Sequence, residues 1–115
     1  MIKKFDELPV QIRTAMYEAP GEVKVTHLAT KEEMLNHARL YAHMDINPGC
    51  GIGYHEHHDE TEIFFVLEGT ATWNDGEKDT EVNAGGVMIC EDGKGHAIMN
   101  NTDKPVRLTA LIITR

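Results

Sequence analysis

The chain has 115 residues, 19 of them acidic against 11 basic, and a formal net charge of −8. That length suits a single domain spanning 1–115 with one core. The charge, with no basic patch to offset it, argues against a nucleic-acid partner. With 41% hydrophobic and 26% charged residues the composition is that of an ordinary soluble globular protein. No apolar stretch is long enough to span a bilayer and no apolar leader follows Met1, so no membrane partner and a cytoplasmic location are expected. Cys50 and Cys90 form no Cys-x-x-Cys pair, so both read as reduced thiols.

Residues 1–11 read as a loose lead-in, followed by strands over 12–18 and 22–28 with a turn at Ala19-Pro20-Gly21. Thr30-Lys31-Glu32-Glu33 fits a capping box, which predicts a short helix ending near Asn36-His37. Strand then follows strand. Over 39–46, Leu40, Ala42, Met44 and Ile46 share one face, while Arg39, Tyr41, His43 and Asp45 share the other. Further strands are expected over 53–57, 62–67, 69–74, 78–82, 87–90, 96–100 and 106–114. The turns between them are marked by Asn47-Pro48-Gly49, Asn74-Asp75-Gly76, Ala84-Gly85-Gly86 and 102–105. Many short strands with glycine-rich turns indicate an all-β antiparallel sandwich or barrel.

The most informative stretch runs from Gly49 to Gly69. It holds three of the seven histidines, and His55 and His57 leave the same face of an extended strand. Glu62 lies an odd five residues beyond His57, so a hairpin through His58-Asp59-Glu60-Thr61 is needed to bring it back across from them. Two imidazoles and a carboxylate converging in this way suit a divalent metal. By parity His58 points away, and Asp59 and Glu60 read as solubilising loop acids. With Glu62 inward, Phe64 and Val66 also point in, and Ile63, Phe65 and Leu67 point out. That outward face requires cover from the N-terminal segment or from a second subunit, and a homodimer is expected. Trp73, Met88 and Met99 read as packing residues, and His27 and His37 as surface residues. Arg39, Tyr41 and His43 are candidates for the barrel mouth.

A second stretch, from Gly85 to Asn100, places His96 at the start of a strand. Together the two stretches fit Gly-x5-His-x-His-x4-Glu-x6-Gly at Gly49, His55, His57, Glu62 and Gly69, and Gly-x5-Pro-x-Gly-x2-His-x3-Asn at Gly85, Gly93, His96 and Asn100, with Glu91 in the place of the proline. This resembles the cupin superfamily, and the fifteen residues between the motifs are similar to the spacing of small single-domain bacterial cupins. The resemblance implies a jelly-roll barrel with one divalent metal held by His55, His57, Glu62 and His96. The departure at Glu91 bears on the turn before His96 and removes no ligand.

Three imidazoles and one carboxylate suit manganese, iron, nickel, cobalt or zinc over calcium or magnesium. Such a centre carries about one net positive charge and leaves positions open for water or a small chelating anion: a dicarboxylate, a 2-oxo acid or an enediol. The function expected is therefore a metal-binding cupin that acts on or binds a small oxygen-rich ligand. Enzyme readings are an oxygenase, a decarboxylase or an isomerase; the alternative is a binding or sensing module without turnover. The resemblance to oxalate-decarboxylase-like cupins holds for fold and ligands. Those enzymes carry an arginine three residues before the first motif histidine, where this chain has Ile52, which favours oxalate binding over oxalate turnover.

Overall fold

Alternating burial along the strands sets the architecture. In the computed structural model, which describes residues 1–115, the strand Ala38–Ile46 buries Ala38, Leu40, Ala42, Met44 and Ile46 and turns its other residues outward. The full set is β1 (Val10–Thr14), β2 (Glu22–His27), β3 (Ala38–Ile46), β4 (Gly51–Glu56), β5 (Glu60–Glu68), β6 (Thr70–Asn74), β7 (Asp79–Asn83), β8 (Val87–Cys90), β9 (Gly95–Met99) and β10 (Val106–Thr114). They form a six-stranded sheet in the order β1-β2-β3-β10-β5-β8 and a four-stranded sheet in the order β4-β9-β6-β7. Every pairing is antiparallel. The inner faces meet in one apolar cluster. Phe64, Val66, Leu108 and Ala110 come from the larger sheet, and Ile52, Ala71 and Ile98 from the smaller. The fold is an all-β jelly roll, as expected, and its core lies between the sheets.

Three sequence expectations change. The helix over 30–37 is a run of turns. The capping box itself forms, with the Thr30 N–H donating to Glu33 Oε1 (2.8 Å) and the Glu33 N–H to Thr30 Oγ1 (3.1 Å). However, Leu35 (φ 56°) and Asn36 (φ 58°) are left-handed. His37 is pinned to the end of β10 by the Thr114 N–H (3.0 Å), so the chain must reverse before a second helical turn can form. The short helices present are 3-10 turns at Phe5–Glu7 and Met16–Glu18. The strand expected over 12–18 starts earlier, at Val10, and ends at Thr14, because Ala15, Tyr17 and Glu18 all have positive φ. The hairpin through 58–61 is a crossover: β4 pairs with β9, while β5 pairs with β10 and β8. Glu62 thus faces the histidines from the opposite sheet.

The N-terminal segment packs the Phe5 ring edge-on against His43 (centroids 5.1 Å apart), on β3. It does not reach the outer face of β5, two strands away, where Phe65 and Leu67 are exposed beside Val87 and Ile89 of β8. Asn100 has a structural task. Its buried side chain donates to Ile46 O (2.9 Å) and Lys104 O (2.7 Å) and accepts from the Thr102 N–H and hydroxyl (3.0 and 2.7 Å). With these bonds it ties the end of β3 to the loop before β10. Glu91, in the motif's proline position, still starts a tight turn: the Lys94 N–H donates to Glu91 O (3.0 Å), and Gly93 supplies φ 83°.

Candidate metal centre

Each of the four candidate ligands is placed by a different local device. A register shift in β4 between Ile52 and His55 breaks strict alternation, so both residues line the interior despite their odd separation. His96 sits directly opposite His55 on β9. His57 follows the last residue of β4 and is held by its N–H to Lys94 O (2.9 Å) and by its own carbonyl, which accepts from the Gly93 N–H (2.7 Å). Glu62 enters from β5 in the facing sheet, beside the buried Phe64. The His96 ring is fixed by stacking on Trp73 (4.9 Å, 29°) and by Phe64 (5.4 Å), so Trp73 packs, as expected, and packs on a candidate ligand.

One donor atom from each of the four residues lies within 4.8 Å of the others, and the cluster could hold a metal ion. His57 Nε2 is 3.1 Å from His96 Nε2 and 3.1 Å from Glu62 Oε1, and His96 Nε2 is 3.2 Å from that oxygen. Donors about 2.1 Å from a shared ion and at right angles to one another are about 3.0 Å apart, so the spacing fits an ion at the centre of this group. The burial fits too, because His57, Glu62 and His96 are only 3%, 4% and 0% exposed. Packing three ring nitrogens and a carboxylate into one dry site is costly unless a cation or shared protons join them.

Two of the three outward-facing ring nitrogens have partners, whereas His96 Nδ1 is buried without one. His55 Nδ1 lies 2.8 Å from Gly53 O and His57 Nδ1 2.8 Å from Glu60 Oε1. Each leaves its Nε2 directed at the cluster. Glu60 is in turn gripped by the Arg39 guanidinium, with Nη2 2.7 Å from Oε1 and Nε on Oε2. Arg39 first, and His57 with it, hold the Glu60 carboxyl down at about 2 against opposing burial. Glu60 is therefore part of the site's frame rather than a solubilising loop acid, and Arg39 does reach the barrel mouth.

The titration pattern matches a site made for a cation. For Glu62, burial alone would raise the carboxyl, but the hydrogen bonds from His57 and His96 outweigh it and keep it below its ordinary value. The bond to Glu62 raises His57, aided by Glu60 and opposed by burial. Burial lowers His55. The His57 and Glu62 directions both favour protonated His57 beside ionised Glu62 in the metal-free chain. The stability from His57 is complete below its ordinary 6.5 and fades as pH rises through the raised value. The stability from Glu62 is complete above its ordinary 4.5 and fades as pH falls through the lowered one. His57 would have to give up its proton to hold a metal, so metal affinity would rise with pH.

A cavity of about 130 Å³ opens over the cluster. Its wall facing the ligands comes from the N-terminal hairpin: Arg13 on β1, Met16 and Tyr17 on the turn, and His27 on β2. The Tyr17 ring stacks on His55 (4.0 Å, 10°). This turn can approach because residue 53 is glycine; a Cβ there would lie 1.9 Å from Tyr17 O. His27, expected at the surface, lines the cavity instead, and burial first and the Arg13 charge second lower it. His58 is exposed beside Glu56, as parity predicts. Tyr41 is exposed, and His43 lies under Phe5 instead of at the mouth. Sequence reasoning missed Arg13, Tyr17 and Glu60. The signal available for Arg13 was the apolar–polar alternation of 10–13, whose sense only the structure supplies, with the apolar residues pointing out.

The Cupin domain family model matches residues 42–113, which is more than half of the chain. The chain belongs to the cupin family. An oxalate-binding protein of Thermotoga maritima is 35% identical over 113 residues, covering 98% of this chain and 93% of the relative. A crystal structure described as a predicted oxalate decarboxylase, also from Thermotoga maritima, superposes with a TM-score of 0.95 at 35% identity and full coverage of both chains. A cupin from Silicibacter pomeroyi described as a sugar phosphate isomerase shares the fold with a TM-score of 0.78 at 16% identity, over 97% of this chain and 74% of that one. Among cupins, this chain keeps all four motif ligand positions and has the buried Ile52 at the cavity wall.

Glu60→Ala removes the acceptor that orients His57. A metal-competition titration is expected to show affinity about 10- to 100-fold lower, with His58→Ala as the control that loses little. Equal losses in the two variants would contradict the framing role of Glu60.

Proposed function

We propose that this single-domain cupin holds one divalent transition metal through His55, His57, Glu62 and His96 and binds a small chelating anion of the oxalate class at the positions the protein leaves open. One observation carries the reading: four donor atoms, three of them on buried residues, converge beside a cavity whose other polar lining includes two arginines, Arg13 and Arg39. The metal would supply a Lewis-acidic centre for carboxylate oxygens. The chain contributes the shape, the exclusion of bulk water by Ile52, Leu40, Met44 and Ile112, and positive charge near the mouth in an otherwise acidic protein. The oxalate-binding relative supports this choice of ligand class. Donor chemistry favours manganese, iron, cobalt, nickel or zinc. A cytoplasmic location accords with the two unpaired cysteines, Cys50 and Cys90.

A second reading, turnover, rests on His27. Burial keeps this cavity imidazole neutral over more of the pH range than an ordinary histidine, so it can take or relay a proton. Decarboxylating oxalate consumes one proton and yields formate and carbon dioxide, whereas binding alone leaves oxalate intact. Calorimetry with oxalate is expected to give one ligand per chain for metal-loaded protein and none for chelator-stripped protein. Equal binding to both would contradict a metal-centred site. Formate accumulating in the loaded sample would select the enzymatic reading.

The homodimer belongs to the same proposal. Phe65, Leu67, Val87 and Ile89 form an exposed apolar patch on the outer sheet face that the N-terminal segment leaves uncovered. Light scattering is expected to give twice the 12.9 kDa chain mass. Phe65→Glu should return it to the single-chain value, and a monomeric parent protein would contradict the assignment.

A further inference from the structure

The chain has four arginines. Three are bound to carboxylates: Arg39 to Glu60, Arg107 to Asp45 and Glu68, and Arg115 to Asp59 and Asp92. Arg13 has none, in a protein with 19 acids. Its Nε and Nη2 both approach the neutral Gln11 Oε1 at 3.2 Å, which fixes the plane of the guanidinium and leaves the Nη1 edge without a protein partner.

The placement of Arg13 runs against the ordinary logic of a strand. On β1 the apolar residues Val10 and Ile12 point out and are each 52% exposed. Gln11 and Arg13 pair with Val25 and Val23, whose side chains are fully buried, so the polar pair shares the inner face. Turning the strand over would bury two β-branched side chains and expose a cation, which is the cheaper arrangement by area alone. The inward cation meets the cavity that His55, His57 and Glu62 also line. Arg39 lines it too, but Glu60 occupies both arms of its fork. His27 lines it as well, held below its ordinary value by burial and by the Arg13 charge. The volume is also larger than a chelating pair of oxygens requires. A bound water needs roughly 10–15 Å³ of such space, against about 130 Å³ here.

We propose that Arg13 is a specificity-determining residue that binds a second, distal carboxylate, so that the site selects chelating acids longer than oxalate: 2-hydroxy or 2-oxo dicarboxylates whose first carboxylate end sits on the metal. This rests on the metal-centred reading above and extends it to the ligand's far end. The planar fork of arginine suits a carboxylate held by two parallel N–H bonds, and the half-enclosed cavity strengthens the pairing relative to open solvent.

The test uses the manganese-loaded protein and matched probes that differ only in the distal group: malate against 2-hydroxybutyrate, and 2-oxoglutarate against 2-oxovalerate, with oxalate as reference. In the parent protein the dicarboxylate of at least one pair is expected to bind about 10- to 100-fold tighter than its monocarboxylate partner, the usual yield of a charge-assisted pair. In Arg13→Gln that ratio is expected to fall to about one, and Arg13→Lys to recover part of it. Near-UV circular dichroism checks that each variant is folded. The proposal is overturned if the parent shows no preference in either pair, if the ratio survives in Arg13→Gln, or if that variant weakens oxalate and every other probe equally. Oxalate binding without a dicarboxylate preference removes the role of Arg13 alone, whereas no binding of any probe, oxalate included, removes the metal-centred reading with it.

Discussion

Three imidazole nitrogens and a carboxylate oxygen share one buried space less than 5 Å across. The rest of the fold follows from meeting that constraint. Such a group is stable only if every other face of every ring is packed or hydrogen-bonded. His96 is wedged between Trp73 and Phe64, His55 is covered by Tyr17 and bonded to Gly53 O, and His57 is bonded to Glu60. Ligands arrive from both sheets, so the site also fixes how the sheets face each other. A cation at the centre would replace proton sharing between His57 and Glu62 with direct bonds to four donors, and would stabilise the folded chain by binding it alone.

The centre is framed by strain and by pairing, each in a different part of the chain. Ala15, Tyr17 and Glu18 adopt left-handed backbone angles that cost about 1–3 kcal/mol each for non-glycine residues. Their turn is held against β4 by the missing side chain of Gly53, and it delivers the Tyr17 ring onto His55. On the other side, the Arg39–Glu60–His57 chain links the start of β3 to the start of β5 through charge-assisted hydrogen bonds. Both devices set the geometry of the candidate ligands, His55 through Tyr17 and His57 through Glu60. The N-terminal hairpin thus serves the site as its outer wall, and Arg13 on that wall lines the same cavity as His55, His57 and Glu62.

Much of this was legible in the sequence. The period-two pattern of 39–46 and the glycine turns indicated an all-β sandwich or barrel, and the histidine–glutamate spacing brought His55, His57 and Glu62 together. The jelly roll and His96 as the fourth residue were what the resemblance to cupins implied. The parts that were not legible depend on partners distant in sequence. Glu60 reads as a loop acid until Arg39, twenty-one residues away, is placed beside it. The capping box at Thr30 is chemically complete, yet the tether of His37 to Thr114 forbids the helix it announces. The even spacing of His55 and His57 pointed to one face. The register shift that lets Ile52 join them carries no sequence signal beyond Gly51 and Gly53. In β1 the alternation was visible but its sense was not, because an apolar–polar repeat does not say which face a site requires.

Anomalous diffraction from crystals grown with saturating manganese tests the central claim most directly. The account predicts one strong peak per chain, within bonding distance of the Nε2 atoms of His55, His57 and His96 and of a Glu62 carboxylate oxygen. No peak at that position under saturating metal, or a peak held by other residues while these four remain hydrogen-bonded to one another, would contradict it.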